Sequence, residues 1–338
     1  MTPPIATLRT RLGQRWRPGA SGQPPGADAA QAQPFDALLA QAHQLARACP
    51  PLNARVSPLG PVVGRGAHGR RRAGPGDSFW QYRGFHEGDR SSDIDWRRSA
   101  RADGQLYVRQ TEWETPQTIW LWCDPSPSMD FAEGGPQTKA DRALVLTLAL
   151  AAMAGEAGEK LGFYTAHRRA TGGRLGLDRI ARAAESRRGT DQPACPEPAP
   201  ISRHSHLVLV GDFLGPPADI EAALTRLTAA GVQGHLVQVL DPAEEDFPYR
   251  GRVRLTGLEA GDGSEVLDRA EDLRDAYRRR LAAWQQTLAR LTGRVGWSFT
   301  IHRTDRPALN ALLTVAQTMA AARPGGAGHG HSHTRGSR

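Results

Sequence analysis

The sequence has few cysteines, almost no lysine and no long apolar run, and each shortage excludes a class of protein. Its 338 residues include only three cysteines, Cys49, Cys123 and Cys195. An odd number of widely spaced cysteines excludes a disulfide framework or a zinc finger. The longest apolar run, Ala143 to Ala154, has 12 residues, whereas a bilayer-spanning helix needs about 20. No apolar stretch follows the N-terminal arginines, so we expect no signal peptide, no membrane insertion and a soluble, cytoplasmic protein.

Lysine occurs only at positions 139 and 160, so 41 of the 43 basic residues are arginine. The net charge is +8, but residues 1–34 carry +3 of it and residues 321–338 another +3. Because the rest of the chain is nearly neutral, we expect no nucleic acid partner on charge alone. The Pro/Gly-rich residues 1–34 and the His/Gly-rich residues 322–338 are predicted to be disordered tails.

Strands and helices alternate between residues 118 and 321, and this alternation predicts an α/β fold with a doubly wound, mostly parallel sheet flanked by helices. Strands are predicted at Thr118–Cys123, Leu161–Thr165, Leu207–Val210, Leu236–Leu240 and Val295–Ile301. Helices are predicted at Lys139–Glu156, Leu177–Glu185, Pro217–Ala229, Ser264–Leu291 and Pro307–Ala321. In such sheets ligands bind at the carboxyl ends of the strands.

Polar residues follow two of these strands. The first strand is followed by Asp124-Pro-Ser126-Pro-Ser128, and a later strand, His206–Val210, by Gly-Asp212. One carboxylate and two hydroxyls on a tight loop are hard oxygen ligands, which suit Mg²⁺ or Mn²⁺. Thr190 is the candidate for a third loop ligand. The alternative is structural, with Asp124 in a polar turn and Asp212 as a loop cap.

A segment rich in arginine and aromatic residues precedes the alternating region. Residues 35–114 contain one predicted helix, Phe35–Cys49, and then ten arginines and six acids between positions 65 and 109. We expect the acids to pair with nearby arginines and Trp96 to stack on a guanidinium, which would pin the segment to the sheet domain. A partner-binding surface and single-stranded nucleic acid binding are the alternatives. The residues singled out are Arg83, Asp89, Asp93, Asp95, Trp96, Arg97, Arg101 and Arg109.

Two of these patterns resemble known families. Asp124-x-Ser126-x-Ser128 with a later Thr190 and Asp212 resembles the metal-ion-dependent adhesion site of von Willebrand factor A-like domains. The run that includes Gly88-Asp-Arg, Asp93-Ile-Asp-Trp-Arg-Arg-Ser-Ala-Arg and Tyr107-Val-Arg resembles the signature of the domain of unknown function 58 family, over residues 35–320. The resemblance implies a von Willebrand factor A-like domain at residues 115–321, preceded by a signature region of a helix and short antiparallel strands.

The resemblance also implies a function. Relatives are typically encoded beside a MoxR-type AAA+ ATPase and are thought to act with it in protein maturation or complex assembly. By this resemblance Ser126, Ser128 and Thr190 would ligate Mg²⁺ directly, and Asp124 and Asp212 mainly through water. We therefore expect a non-catalytic, Mg²⁺-dependent protein-interaction module with a MoxR-type AAA+ ATPase and a client protein as partners.

Two other functions stay open from the sequence. The same Asp124–Ser128 loop would suit a metal-dependent hydrolase, a phosphatase or a nuclease, although no motif supplies a base beside the metal. A nucleic-acid-binding scaffold is the weaker alternative. The sequence contains no Walker-type Gly-Lys-Ser/Thr motif, so any ATP hydrolysis would have to come from the partner.

Overall fold

The computed structural model describes residues 16–18, 33–50, 55–57, 60–62, 71–86, 91–101, 105–114, 116–188, 190, 194–257 and 264–321. The strands are β1 (Trp16–Pro18), β2 (Arg55–Ser57), β3 (Gly60–Val62), β4 (Arg71–Gly84), β5 (Tyr107–Glu114), β6 (Thr118–Cys123), β7 (Lys160–Phe163), β8 (Thr171–Gly172), β9 (His206–Gly211), β10 (Gln233–Leu240), β11 (Val253–Gly257), β12 (Ser264–Leu267) and β13 (Ser298–Arg303). The helices are α1 (Phe35–Ala48), α2 (Trp96–Ser99), α3 (Lys139–Glu156), α4 (Gly173–Arg187), α5 (Pro217–Ala229), α6 (Pro242–Asp246), α7 (Arg274–Arg294) and α8 (Ala308–Ala321).

A six-stranded sheet forms the centre of the fold, in the order β13-β10-β9-β6-β7-β8. Neighbouring strands are parallel except for β8, which is antiparallel to β7. The predicted α/β architecture with a mostly parallel, helix-flanked sheet is therefore confirmed. Among the described helices, none is long and apolar enough to cross a membrane.

Helices cover both faces of the sheet. Alternate residues of each strand point to opposite faces, so both sets of side chains are buried. On β6, Ile119 and Leu121 pack with helices α1, α3, α4 and α8. Trp120 and Trp122 of the same strand face α5 and α7. This explains why β6 reads as a continuous apolar run, as expected of a central parallel strand.

Helix α3 lies in the middle of its layer, where nearly every residue is buried. Thr138 caps its N-terminus by accepting a hydrogen bond from the Asp141 amide at 3.0 Å, which is the side-chain bond expected of an N-cap threonine. Helix α1 packs across α3 through Leu38, Ala42 and Ala46. The predicted boundaries of α3 are confirmed, and those of α1 are confirmed to within one residue.

The predicted helix Ser264–Leu291 is wrong in its first part. Residues 264–267 form strand β12, which pairs antiparallel with β11, and the α-helix begins at Arg274 after a 3-10 turn at Ala270–Leu273. The four residues alternate between exposed and half-buried, the period of a strand. Two polar residues followed by two apolar ones do not show this period, so the leucine spacing of the following helix extended the predicted helix too far.

The signature region contains the short antiparallel strands that the resemblance implies. Strands β4 and β5 form a two-stranded ribbon with register shifts between Ala73 and Ser78 and between Phe79 and Gln81. Strands β2 and β3 form a second pair, and β1 pairs with β11. Most of the predicted disordered tails, residues 1–15, 19–32 and 322–338, lie outside the described residues. The prediction of disorder is wrong for residues 16–18, because they form β1 by antiparallel pairing with β11.

Candidate metal-binding site

Three aspartates each follow one of three neighbouring parallel strands. Asp124 comes directly after β6, Asp212 after β9 and Asp241 after β10. All three side chains are buried. The carboxyl ends of these strands meet at one edge of the sheet, so the topology brings together residues that are far apart in the sequence.

The Asp124–Ser128 loop and Asp212 form one hydrogen-bonded cluster. Asp124 Oδ1 accepts a bond from the Ser126 amide at 2.9 Å. The hydroxyl oxygens of Ser126 and Ser128 lie 3.0 Å apart, and the Ser128 hydroxyl donates to Asp212 Oδ2 at 3.1 Å. Four of the five residues predicted as metal ligands are thus brought together; we refer to Asp124, Ser126, Ser128 and Asp212 as the oxygen cluster.

The chain around Asp212 is held from two sides. The side-chain amide of Gln238 donates to the Asp212 backbone carbonyl at 2.8 Å. The backbone amide of Leu214 donates to Asp212 Oδ1 at 3.2 Å. Phe213, between these residues, has a φ of 47°, and its carbonyl accepts from Trp284 Nε1 at 2.8 Å. These bonds fix the turn that directs the Asp212 carboxylate toward Ser128.

Thr190, the predicted third ligand, lies beyond the C-terminus of α4. Its hydroxyl donates to the Arg187 carbonyl at 2.7 Å, and its amide lies 3.4 Å from the same carbonyl. This is a local bond that satisfies a helix-end carbonyl. The role of Thr190 as a ligand stays a prediction, and it would require the hydroxyl to turn away from Arg187.

Lys139 and Glu244 join the cluster and were not predicted from the sequence. Lys139 Nζ lies 3.0 Å from Asp212 Oδ2 and 2.6 Å from Glu244 Oε1. Its side chain is completely buried, and the ammonium lies 5.7 Å from the centre of the Phe131 ring. Two signals in the sequence mark Lys139: lysine is very rare in this chain, and a cation in the first turn of a helix opposes the helix dipole.

Glu244 experiences opposing effects. Burial raises its pKa above the ordinary value, and the charge of Asp212 acts in the same direction, whereas contact with Lys139 lowers it. The carboxylate also accepts a bond from the Asp241 amide at 2.9 Å. Glu244 therefore connects the oxygen cluster to the beginning of α6.

Asp241 has a structural task at this edge. One carboxylate oxygen accepts from the amides of Ala243 at 2.8 Å and Gly134 at 2.9 Å. The other accepts from Gly135 at 3.1 Å and Glu133 at 3.3 Å. Together with Glu244 it forms a capping box on α6. Asp241 thus fastens the loop after the Ser128 turn to the end of β10.

A cavity of about 30 Å³ opens beside Asp124 and Ser126, with Arg187 and Arg188 among the residues that line it. This volume admits a water molecule, but it is far below the several hundred Å³ of a typical organic-ligand pocket. Cys123 also lines the cavity, and burial, followed by the charge of Asp124, raises the pKa of its thiol to about 12. Since only the thiolate is a strong nucleophile, Cys123 is not a reactive group at neutral pH.

Asp95 organises the described part of the signature region. Its Oδ1 accepts from the Arg98 amide and its Oδ2 from the Tyr82 hydroxyl, both at 2.9 Å. The Arg98 guanidinium stacks over Tyr82, 4.3 Å from the ring centre, and lies 5.4 Å from that of Tyr107. Trp96 is 62% exposed, and the predicted stacking of Trp96 on a guanidinium is not found among the described residues, where Arg98 stacks on Tyr82 instead. The network thus joins the short helix α2 to the β4–β5 ribbon.

The other signature residues are less fully described. Arg97 and Arg101 are exposed. For Arg83, Asp93 and Arg109 the backbone is described, in β4, in the turn Ser91–Asp93 and in β5, and the predictions for their side chains lie outside the described residues. Asp89 lies outside them altogether.

The donor set of the oxygen cluster fits a small, hard cation. Ligand oxygens at 2.0–2.1 Å in an octahedron around Mg²⁺ are about 3 Å from their neighbours. The 3.0 Å between the two serine hydroxyls, which are predicted direct ligands, matches that spacing. Among the described residues there is no group of three His, Cys, Asp or Glu side chains that would hold a metal ion. Any site here therefore depends on the serine hydroxyls.

Comparisons with known proteins give a family and two loosely similar structures. The model of a family described as "Protein of unknown function DUF58" matches residues 81–287. The conserved hypothetical protein BatB from Bacteroides thetaiotaomicron is similar at 15% identity and a TM-score of 0.32, over 61% of this chain and 100% of that one. An aerotolerance-related membrane protein from Bacteroides fragilis is similar at 13% identity and a TM-score of 0.35, over 61% and 99%. A search of curated proteins found no match.

Proposed function

We propose a function for this chain, which belongs to the DUF58 family: it is a non-catalytic protein-recognition module that binds a partner's carboxylate through Mg²⁺ or Mn²⁺. The observation that carries the proposal is the convergence of the Ser126 and Ser128 hydroxyls, 3.0 Å apart, beside the buried Asp212 carboxylate, 3.1 Å from Ser128. The hydroxyl spacing fits two neighbouring ligands of Mg²⁺, and the carboxylate can accept a bond from a water ligand.

Each residue of the cluster has a proposed role. The hydroxyls of Ser126, Ser128 and Thr190 would hold the ion directly, and the carboxylates of Asp124 and Asp212 would hold it through water. When bound, Mg²⁺ supplies a Lewis-acidic position that a carboxylate oxygen can complete. Three neutral hydroxyls as direct ligands would leave the ion's charge uncompensated, which favours an anionic partner group.

The proposal also assigns the domain to a fold family and names a class of partner. The parallel order β10-β9-β6 with Asp124 and Asp212 at adjacent strand ends supports a von Willebrand factor A-like domain. The family resemblance supports a MoxR-type AAA+ ATPase as partner, with the pair acting on a client protein in maturation or assembly.

Recognition is favoured over hydrolysis by two observations. The cavity of about 30 Å³ beside Ser126 takes a water molecule or the tip of one side chain, and not a nucleotide or a phosphate ester of ordinary size. Lys139, the amine that contacts the cluster, is paired with Asp212 and Glu244. An amine held in this way is not poised as a general base.

The experiment compares partner capture by the wild type and by Ser126→Ala/Ser128→Ala, each in Mg²⁺ and in EDTA. The probe is a purified MoxR-type ATPase encoded in the same genome, followed by the native lysate. Ser186→Ala/Ser202→Ala is the matched control, because both serines are exposed and outside the cluster. Circular dichroism establishes beforehand that all variants are folded.

We expect the wild type and the control to retain the ATPase in Mg²⁺ and to lose it in EDTA, and the cluster variant to retain none. Equal retention in every sample would overturn the proposal and direct attention to the signature region. Mg²⁺-dependent hydrolysis of p-nitrophenyl phosphate or of nucleic acid that Asp124→Ala abolishes would establish the hydrolase instead.

A further inference from the structure

Lys139 is an unusual group to find at the centre of this edge. It is one of only two lysines in the chain, and its side chain is completely buried. Burying an ammonium group costs several kcal/mol unless partner charges and hydrogen bonds compensate. The residue also begins α3, where the helix dipole disfavours a positive charge. Its contacts must therefore outweigh both costs.

The contacts of Lys139 are with acids of the site. Asp212 Oδ2 lies 3.0 Å from Lys139 Nζ and 3.1 Å from the Ser128 hydroxyl. The ammonium is therefore separated from the serine pair by a single carboxylate oxygen. On its other side it contacts Glu244 at 2.6 Å, and Glu244 is fixed to the start of α6 through the Asp241 amide.

The negative charges around the Lys139 ammonium explain its effect on the site. Asp124, Asp212 and Glu244 are three buried or largely buried acids at one edge, and like charges at short range repel strongly in a low dielectric. A divalent cation would relieve that repulsion only while bound. The ammonium of Lys139 is covalently attached and relieves part of it at all times.

We propose that Lys139 is a built-in cation of the site, which keeps the oxygen cluster folded in the absence of a divalent ion and thereby weakens the cluster's affinity for Mg²⁺. This inference rests on the proposed function for the position of Mg²⁺ at Ser126 and Ser128. It adds that the site folds before the metal binds, and that Asp212 is shared between the ammonium and the metal's hydration shell.

The test measures the melting temperature in EDTA and in Mg²⁺, and the Mg²⁺ dissociation constant by calorimetry, for full-length variants. Lys139→Met removes the charge and keeps an unbranched apolar chain. Lys160→Met is the matched control, because Lys160 is the other lysine and is exposed. Lys139→Met/Glu244→Gln removes one acid together with the ammonium and so protects the fold.

We expect the wild type and Lys160→Met to fold equally well in EDTA. Lys139→Met should melt lower in EDTA, and Mg²⁺ should raise its melting temperature by several degrees more than it raises that of the wild type. The Mg²⁺ dissociation constant of Lys139→Met should fall at least about tenfold, because a nearby positive charge is gone, and that of the double variant should fall less, because a negative charge is lost with it.

Other outcomes overturn the inference. One is an unchanged Mg²⁺ affinity in Lys139→Met, together with a loss of stability that Mg²⁺ does not restore. Failure of both Lys139 variants to fold in Mg²⁺ is another, since the ion should replace the ammonium. Mg²⁺-dependent partner capture by the wild type, combined with either result, would leave the proposed function standing, whereas the absence of Mg²⁺ binding in every variant would remove both.

Discussion

Asp124 reaches its position because the residue opposite it is a glycine. Gly211 ends β9, next to the end of β6, and a Cβ atom built on it would lie 2.8 Å from Asp124 Cβ and 3.0 Å from Asp124 Oδ2. Cβ atoms essentially never approach other atoms under 3.0 Å. The glycine therefore leaves the space into which the first carboxylate of the cluster fits.

Gly211→Ala should displace Asp124 and lower the Mg²⁺ affinity by about tenfold or more. The cost in stability should be about 1–3 kcal/mol, the range for overpacking a tight site. Gly215→Ala is the control, because a Cβ there would have no atom within 4 Å. Calorimetric Mg²⁺ titration and urea unfolding measure the two effects. Wild-type Mg²⁺ affinity in Gly211→Ala would show that Asp124 does not need this position.

The predicted role of Thr190 as a Mg²⁺ ligand can be tested by removing its hydroxyl. Thr190→Val keeps the shape of the side chain and removes the hydroxyl, so Mg²⁺ affinity should fall about tenfold if that hydroxyl is a direct ligand. Thr287→Val is matched to it, since the Thr287 hydroxyl also bonds a local carbonyl, that of Ala283, at 2.9 Å. An affinity unchanged in both variants would leave Thr190 with the single task of satisfying the Arg187 carbonyl.

At the scale of secondary-structure elements, the loop after Ser128 depends on a single buried carboxylate. Asp241→Asn replaces one acceptor oxygen with a donor that faces backbone N–H groups of residues 133–135 and Ala243. Buried donors left without acceptors cost about 1–3 kcal/mol each, so we expect urea unfolding to show a loss of about 2–4 kcal/mol.

Asp246→Asn is the control for this change. Asp246 is on the same helix, α6, but its side chain is half exposed in its ion pair with Arg303. Exposed pairs contribute about 0–1 kcal/mol, so this variant should lose less than 1 kcal/mol. Equal losses in the two variants would mean that Asp241 has no special anchoring role.

The elements that the sequence predicts well are those whose signals are local. Helix α3 has its N-cap at Thr138 and an apolar run behind it, and strand β6 is one short apolar run, so both can be predicted from neighbouring residues. Asp124 and Asp212 were found in the same way, because each follows such a strand.

The parts that could not be predicted depend on long-range pairing. The contact of Lys139 with Glu244 joins residues 105 positions apart, and that of Asp241 with the amides of Gly134 and Gly135 joins residues 107 and 106 positions apart. No periodicity in the sequence reports which side chains a fold brings together over such distances. The composition does single out Lys139 as a rare residue, but not its partners.

At the scale of the whole molecule, the ion pair between Arg188 and Asp141 also holds the start of the N-terminal helix α1 through Gln33. Arg188 contacts the buried carboxylate of Asp141 and donates to the Gln33 carbonyl at 2.7 Å. Asp141 also accepts from the Gln33 amide at 2.9 Å. The residue that lines the cavity beside Ser126 thus also anchors the start of α1, and helix α1 belongs to the same folded unit as the oxygen cluster.

The stability of that unit should depend on pH through two histidines buried in the sheet. Burial, followed by the charge of His206, lowers the pKa of His235 to about 3. The His235 ring stacks on His206 at 5.8 Å and bonds the Ser298 hydroxyl at 2.8 Å. For His302, burial and the charge of Arg142 lower the pKa to about 4, although Asp305 acts in the opposite direction.

The sign of the effect follows from proton linkage. Between pH 6.5, the ordinary value, and these lowered values the unfolded chain binds protons that the folded chain does not, so stability falls as the pH decreases. Burial raises the pKa of Glu244, so this one group makes the stability rise, rather than fall, as the pH decreases. His167, whose pKa is also lowered by burial and by the charge of Arg179, acts in the same direction as the two buried histidines. These imidazoles titrate between pH 7 and 5, where most carboxylates stay ionised.

We therefore expect the melting temperature to be constant between about pH 7 and 8 and to fall steadily from pH 6.5 to 5. His302→Gln should reduce the slope of this fall, because one of the proton-linked imidazoles is gone. His204→Asn is the control: this histidine is exposed and has a φ of 62°, which asparagine tolerates. It should melt with the wild-type slope. An equal slope in His302→Gln would place the acid sensitivity in groups other than the buried imidazoles.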